Sequence, residues 1–335
     1  MSRVKKKLIE YLIVLLLIAC VFIAAGTVLY FKSFARADFT LGVNFSNAYA
    51  EYLGLNWQET YQAILDDLKV KNIRLAAPWN EVEPEKDFWT FAILDYQVKE
   101  AQKRGVNVIL VLGRRTPHWP ECHDPKWIKG LTSDFVVDRQ LRMMKKVVER
   151  YKNYENIKVW QVENEPLLNV FGECPSSDVD LLRREIALVK TLDSRPVLIT
   201  DSGELSLWIS AANLGDLFGT TMYRVTYNSF LGYSYYHLPP AFYRLKAWFV
   251  GQSGEEVVVS ELQGEPWAPS GLLSTSLVEQ RLSMDADRLK NHVRYAERTG
   301  FSGAYLWGAE WWYWLKQKQQ DDSLWKAAQI LFEKS

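Results

Sequence analysis

Beyond residue 38, the chain alternates between short apolar runs and longer amphipathic runs. Eight apolar runs have the length of buried strands: residues 39–44, 73–76, 106–112, 157–162, 196–200, 217–222, 256–260 and 303–307. Helix-like runs follow them: residues 58–69, 91–104, 134–154, 179–193, 205–214, 240–249 and 275–299, with 322–333 last. Eight strand–helix units in about 295 residues match a (β/α)8 TIM barrel. We therefore predict this α/β fold for a single domain, residues 38–335.

A doubly wound open sheet is the main alternative to the barrel. In that fold a G-x-G-x-x-G turn commonly follows the first strand, but here the sequence continues as Gly-Val-Asn-Phe-Ser from Gly42. A Walker-type phosphate loop is also missing from the sequence. Both observations favour the barrel, and we expect no cofactor.

The N-terminal segment has the composition of a membrane span. Residues 11–31 carry no charge, and 21 apolar residues can cross a bilayer. More positive charge precedes this run than follows it, which predicts that residues 1–10 stay in the cytoplasm and that the domain lies outside. A secreted protein cleaved after Ala37 is the alternative, but the apolar run exceeds the usual ~7–15 residues of a signal peptide. We predict a single-pass signal anchor in the cell membrane.

Composition narrows the choice of partner. Without residues 1–32 the chain has 35 basic and 39 acidic residues, a net charge of −4, which gives no electrostatic footprint for nucleic acid. Aromatic residues reach 14%, with 14 tryptophans. Aromatic faces suit the flat C–H surfaces of sugar rings, although most of these side chains are expected to fill the core. A neutral oligo- or polysaccharide fits this composition better than nucleic acid, and the oligomeric state stays open.

Acidic residues stand at the predicted ends of two strands. The fourth strand runs into Trp-Gln-Val-Glu-Asn-Glu-Pro, which places Asn164 and Glu165 at its carboxyl end, and the seventh places Glu261 there. Barrel enzymes build their active sites at this end of the strands. Glycoside hydrolysis needs one carboxylic acid to protonate the leaving oxygen and one carboxylate to attack the anomeric carbon. Two close carboxylates also push their pKa values apart.

These motifs resemble those of the clan A glycoside hydrolases, especially the cellulase-like family five, over essentially the whole exported region. The resemblance implies a retaining β-glycosidase that works by double displacement, with Glu165 as acid/base and Glu261 as nucleophile. It also implies that Asn164 holds the sugar 2-hydroxyl, that Arg74 orients and ionises the nucleophile, that Tyr223 contacts it, and that Trp307 forms the floor under the reacting sugar. We add Trp79, Trp267 and Glu310 to the predicted substrate contacts.

The chain departs from the cellulase-like pattern in ways that leave the glycan open. Thr221 stands where that family often has a histidine, two residues before Tyr223. The segment 78–84 looks more like clan A β-galactosidases and xylanases. The sequence leaves four candidate substrates open: a glucan, a mannan, a xylan or a galactoside. A transglycosylase acting on cell-surface glycans and a catalytically silent glycan-binding barrel are the alternative functions.

Two further expectations concern the loops after the third and fourth strands. Cys122 and Cys174 fall in these neighbouring loops, and an exported domain is oxidised, so we predict a disulfide between them. His118, Cys122 and His123 are a weak signal for a metal, and no metal is predicted. Glu163 is expected to pair with an arginine or lysine inside the barrel.

Overall fold

The computed structural model describes residues 3–176 and 178–334. Eight parallel strands close into a barrel in the order β1-β2-β3-β4-β5-β6-β9-β10, and β10 pairs with β1. The barrel strands are β1 Thr40–Asn44, β2 Asn72–Ala76, β3 Asn107–Leu112, β4 Ile157–Val162, β5 Val197–Asp201, β6 Leu217–Met222, β9 Val257–Gln263 and β10 Gly303–Trp307. The predicted (β/α)8 TIM barrel is confirmed.

Helices surround the barrel, and one long helix precedes it. They are α1 Arg3–Phe31, α2 Asn47–Tyr52, α3 Trp57–Asp66, α4 Trp79–Val82, α5 Ala92–Lys103, α6 Ser133–Tyr151, α7 Val179–Leu192, α8 Pro240–Phe249, α9 Leu277–Ser283, α10 Ala286–Glu297, α11 Ala309–Lys318 and α12 Ser323–Phe332. The barrel strands and the inner faces of α3–α12 share one large hydrophobic core. Amphipathic helices bury their apolar stripe against the sheet in this way.

The stretch predicted as one helix over 275–299 forms two helices. α9 ends at Ser283 and α10 begins after Asp285, whose side chain accepts the backbone N–H groups of Asp287 and Arg288. A carboxylate N-cap of this kind starts a new helix. The continuous periodicity hid this break.

The helix predicted over 205–214 is absent from the described residues, and a turn-rich loop follows β5. Trp208 has φ 67°, a left-handed conformation that interrupts a helix, and its indole N–H donates to the Ser202 carbonyl at 2.8 Å. Serine side chains bind the backbone of this loop and compete with helix formation. A hairpin of β7 Val225–Asn228 and β8 Gly232–Tyr235, which the sequence did not predict, follows β6.

The segment after α1 packs against the end of the barrel where the strands begin. The Phe34 N–H donates to the Arg298 carbonyl at 3.0 Å, and Arg36 pairs with Glu255 at 2.8 Å. Both partners stand just before a barrel strand. Within α1, Tyr11–Val28 has a mean hydropathy of 2.8, and none of it is buried in the protein, so it is long and apolar enough to cross a membrane. A signal sequence has the same properties.

Candidate active site

The carboxyl ends of the strands surround a cleft of about 770 Å³. Glu165 lies three residues after β4, whereas Glu261 lies inside β9, which extends further than predicted. Both glutamates line the cleft, with exposed fractions of 7% and 5%. Glu165 has φ 45°, a left-handed conformation that is costly for a residue with a side chain and that clusters at functional sites. The structure therefore brings the two predicted carboxylates into one cleft.

Glu261 is held by two donors. Arg74 Nη1 donates to its Oε1 at 3.0 Å, and the Tyr223 hydroxyl donates to its Oε2 at 3.0 Å. The guanidinium is itself fixed, because its remaining contacts reach the amide oxygens of Asn44, Gln161 and Asn164. A buried ion pair whose donors are all engaged leaves the Glu261 side chain little freedom to move.

Glu165 has a different environment. Burial, followed by the negative charge of Glu261, raises the pKa of Glu165 well above its usual range. Its only side-chain donor among the described residues is the Thr221 hydroxyl, at 3.1 Å from Oε1. Thr200 Oγ1 accepts the backbone N–H of Glu165 at 2.9 Å and fixes the turn. Glu261 is thus ion-paired, whereas burial and the charge of Glu261 raise the pKa of Glu165.

Thr221 connects the two glutamates. It is the register partner of Glu261 on the neighbouring strand β6, and its hydroxyl bonds to Glu165. The backbone N–H of Gly203 donates to the same hydroxyl at 3.2 Å. A threonine therefore supplies a donor to Glu165 at the position where the cellulase-like family often has a histidine.

Asn164 is held in place by protein contacts. Its Oδ1 accepts from Arg74 at 2.7 Å, and its Nδ2 donates to Glu121 Oε2 at 3.1 Å. Asn164 is 1% exposed and does not line the cleft. Its amide contacts Arg74 and Glu121, which line the cleft, and its predicted contact with a sugar 2-hydroxyl stays a prediction.

Glu121 is a cleft residue that the sequence analysis missed. Burial, followed by the charge of Glu261, raises the pKa of Glu121 to about 8. It lies in the loop after β3 with φ 72°, next to Cys122. The disulfide between Cys122 and Cys174 is present, with Cα atoms 5.3 Å apart, which confirms the predicted pair. The feature of the sequence next to Glu121 was Cys122, and it predicted a disulfide but not a cleft residue.

Trp307 and Glu265 form one wall of the cleft. The Trp307 indole N–H donates to Glu265 Oε1 at 2.9 Å, and the Tyr49 hydroxyl donates to Oε2 at 2.8 Å. The His118 ring lies 4.1 Å from the Trp307 ring between centroids. Burial raises the pKa of Glu265 to about 7. Trp267 lines the cleft beyond this wall and packs edge-on against Tyr223.

Trp79 and Glu310 do not line the cleft, contrary to their predicted contact with substrate. Trp79 is fully buried, and its indole N–H donates to Glu83 at 2.9 Å. Glu310 is 1% exposed and accepts the backbone N–H of Ser46 at 2.6 Å. Each residue stands near a strand end, but its side chain is buried in the protein and does not face the cleft. Both support loops that border the cleft, and we withdraw the predicted contact.

Glu163 has structural contacts, but among the described residues its partners are backbone and amide N–H groups and not the arginine or lysine side chain that was expected. Its carboxylate accepts the backbone N–H groups of Arg114 and Arg115 and a contact from Gln140. Over residues 3–176 and 178–334, no group of three His, Cys, Asp or Glu side chains is arranged to hold a metal.

Comparisons with known proteins agree with the fold. Residues 55–180 match the family model described as β-galactosidase, glycoside hydrolase family 42. Xylanase 10B from Thermotoga petrophila RKU-1 superposes with a TM-score of 0.56 at 16% identity, over 89% of this chain and 94% of that enzyme. A family five enzyme from Streptomyces cattleya, in complex with GlcNAc, superposes with a TM-score of 0.59 at 15% identity, over 82% and 70%.

The β-galactosidase from the psychrophile Marinomonas ef1 superposes with a TM-score of 0.58 at 13% identity, over 88% of this chain but only 59% of that enzyme. A comparison with curated proteins finds no match in sequence. The family match and the neighbours are glycoside hydrolases of clan A, so the predicted resemblance is confirmed. They support a glycoside hydrolase.

Proposed function

We propose that the chain is a retaining β-glycosidase in which Glu261 is the nucleophile and Glu165 is the acid/base. The observation that carries this proposal is the contrast between the two carboxyls in one cleft. Glu261 is ion-paired to Arg74 and bonded by Tyr223, whereas Glu165 has one hydroxyl donor and a raised pKa. When the surroundings of two carboxyl groups push their pKa values apart, the group with the lower pKa acts as base or nucleophile and the other acts as acid.

The reaction proceeds in two steps. In the first, a Glu261 oxygen attacks the anomeric carbon, the glycosidic C–O bond breaks, and the leaving oxygen takes the proton of Glu165. In the second, Glu165 removes a proton from water, which attacks the same carbon and releases Glu261 and a product with retained configuration. Tyr223 and Arg74 hold Glu261 during attack, and the Trp307 ring forms the floor under the sugar. Trp267 contacts the next unit along the cleft.

Substitution of the two glutamates tests the assignment. Glu261→Ala should lower kcat on the order of 10⁴-fold or more on every substrate, because no covalent intermediate forms. Glu165→Ala should cost about 10²–10⁴-fold on poor leaving groups and far less on nitrophenyl glycosides, which leave without a proton. Azide should then accelerate Glu165→Ala and yield the β-glycosyl azide.

Glu155→Ala, an exposed glutamate just before β4, is the matched control and should leave kcat unchanged. A Glu261→Ala enzyme that keeps near-normal turnover, or a product of inverted configuration, refutes the mechanism. Binding of β-glycans without any turnover would instead support the silent barrel. Transfer products that dominate over hydrolysis at low acceptor concentration would support the transglycosylase.

The glycan is proposed only as a β-linked glucan, mannan, xylan or galactoside. The cleft of about 770 Å³ is lined by several aromatic residues, among them Tyr49, Trp119 and Trp267, which suits the binding of several sugar units. Hydrolysis of a panel of these polymers, with product sizes recorded, separates internal from terminal cleavage.

We further propose that residues 11–31 anchor the protein in the cell membrane, with residues 1–10 in the cytoplasm and the domain of residues 38–335 outside. Support comes from the apolar span within α1, none of which packs against the barrel. The basic residues before it favour this orientation.

A further inference from the structure

An apolar stripe lies on the solvent side of α8. Leu245, Trp248 and Phe249 are 48%, 75% and 71% exposed. Their spacing of three and four residues puts them on one face of the helix. The opposite face, which includes Tyr243 and Ala247, is buried in the core. A barrel helix normally turns a polar face to water, so this helix end is apolar on both sides.

The stripe lies at the same end of the barrel as the N-terminal anchor. α8 leads into β9, so Trp248 and Phe249 are at the end where strands begin, opposite the cleft. α1 contacts α8. The segment between α1 and β1 also reaches α8, because the guanidinium of Arg244 lies 5.9 Å from the centre of the Phe34 ring.

Groups beside the stripe match the chemistry of a lipid headgroup layer. Lys32 follows α1 directly, is exposed, and lies 4.9 Å from the Phe34 ring. Lysine at the end of a membrane span places its ammonium among headgroups, and tryptophan concentrates at the same depth. Lys32, Phe34 and Trp248 are therefore the residue types found where a protein meets a bilayer surface.

We propose that the stripe Leu245–Trp248–Phe249 inserts into the interfacial layer of the bilayer that α1 crosses. The barrel then rests on the membrane by the end where its strands begin, and the cleft opens away from the lipid. α1 keeps the stripe close to the bilayer, so weak intrinsic affinity is sufficient. The substrate would reach the cleft from the side away from the membrane. This inference does not depend on the proposed catalytic activity.

Spin labels on the full chain in phosphatidylcholine–phosphatidylglycerol vesicles test the contact. In a Cys20→Ser background, Trp248→Cys and Trp119→Cys each supply one labelling site while the disulfide stays closed. Trp119 is the matched control, because it is 60% exposed but lies at the cleft. The label at 248 should show a several-fold higher ratio of collisions with oxygen to collisions with a water-soluble nickel chelate than the label at 119.

Phe249→Cys gives a second labelling site on the stripe if the tryptophan variant does not fold. Equal collision ratios at the stripe and at 119 would overturn the proposal. Dipolar coupling between labels at 248 in sparsely loaded vesicles would also overturn it, because it would place a second copy of the chain on the stripe. Release of the domain from the vesicles as a fragment that begins near Asp38 would overturn it together with the anchor.

Discussion

At the scale of single residues, burial and the charge of Glu261 raise the pKa of Glu165 most, and two further neighbours act on it in opposite directions. The Thr221 hydroxyl bonds to Glu165 and lowers its pKa, whereas the charge of Glu121 raises it. Both lie within the cleft, and neither is a proposed nucleophile or acid. The two side chains can therefore be varied separately to find out whether Glu165 is the group that must be protonated for activity.

Thr221→Val should move the alkaline limb of the kcat/KM profile to higher pH. Loss of the hydroxyl removes a donor to the carboxylate, so the pKa of Glu165 rises and Glu165 keeps its proton up to a higher pH. Glu121→Gln should move the part of this limb above about pH 8 to lower pH, because Glu121 is ionised there and its negative charge beside Glu165 is lost. Thr221→Ser keeps the donor and should leave the limb in place. The profiles are measured on an alkyl glycoside or oligosaccharide, whose leaving group needs the proton of Glu165, and shifts of equal sign in the two variants would exclude Glu165 as the titrating acid.

The site residues differ in how far the sequence predicted them. Glu165 and Glu261 were predictable because each follows an apolar run at a strand end, and strand ends converge in a barrel. Glu121 was not, because a left-handed turn and a distant cysteine bring it into the cleft. Trp79 was predicted to face the cleft, but it begins α4 and turns inward against Trp127. Side-chain direction at a strand end depends on such local turns, which periodicity does not show.

At the scale of elements, the strands were more predictable than the connections. A strand buried on both faces is an apolar run whatever surrounds it, and β4, β6 and β10 have the predicted bounds. The loop after β5 contains enough apolar residues to suggest a helix, but Leu205, Leu207 and Ile209 are exposed there. Contacts of Trp208 with the serine-rich turn fix the conformation of this loop. They form only in the folded protein, so the local sequence does not predict them.

The disulfide should stabilise the two loops that carry Glu121 and border the cleft. Cys122 and Cys174 are 52 residues apart, and loop-closure entropy for this length predicts a loss of about 4 kcal/mol in the free energy of unfolding when both become serine. Because Glu121 adjoins the bridge, kcat/KM should fall as well. Urea unfolding and initial rates measure the two effects. Cys20→Ser is the control, and an unchanged midpoint in the double variant would show that the bridge contributes nothing.

At the scale of the whole molecule, the proposed anchor predicts where the protein is found. The full chain should stay with membranes after a high-salt wash, and external protease should digest the barrel on intact cells or spheroplasts. Replacing three apolar residues of α1 by charged ones, Leu15→Lys, Leu16→Glu and Ile18→Lys, should release or mislocalise it, because such residues are costly at the bilayer centre. Recovery of wild-type protein as a soluble species that begins at Asp38 would show cleavage instead.

Buried carboxyls also predict how stability depends on pH. Burial raises the pKa of Glu310 from 4.5 to about 8 and that of Glu204 to about 7. Between pH 4.5 and the raised pKa of each group, the folded chain holds a proton that the unfolded chain releases. Each such group therefore stabilises the fold fully below about pH 4.5, and this contribution is lost as the pH rises through the folded pKa, at up to about 1.4 kcal/mol per pH unit.

Glu310→Gln isolates one of these contributions. Glutamine can still accept the Ser46 N–H, but it does not titrate, so the decline in unfolding free energy between pH 5 and pH 8 should be shallower than in the wild type. Glu155→Gln, at an exposed position, should retain the wild-type slope. Urea unfolding in detergent at four pH values measures the slope of the unfolding free energy against pH for each variant. A variant with the wild-type slope would mean that Glu310 is ionised in the folded protein and that some other group carries the pH dependence.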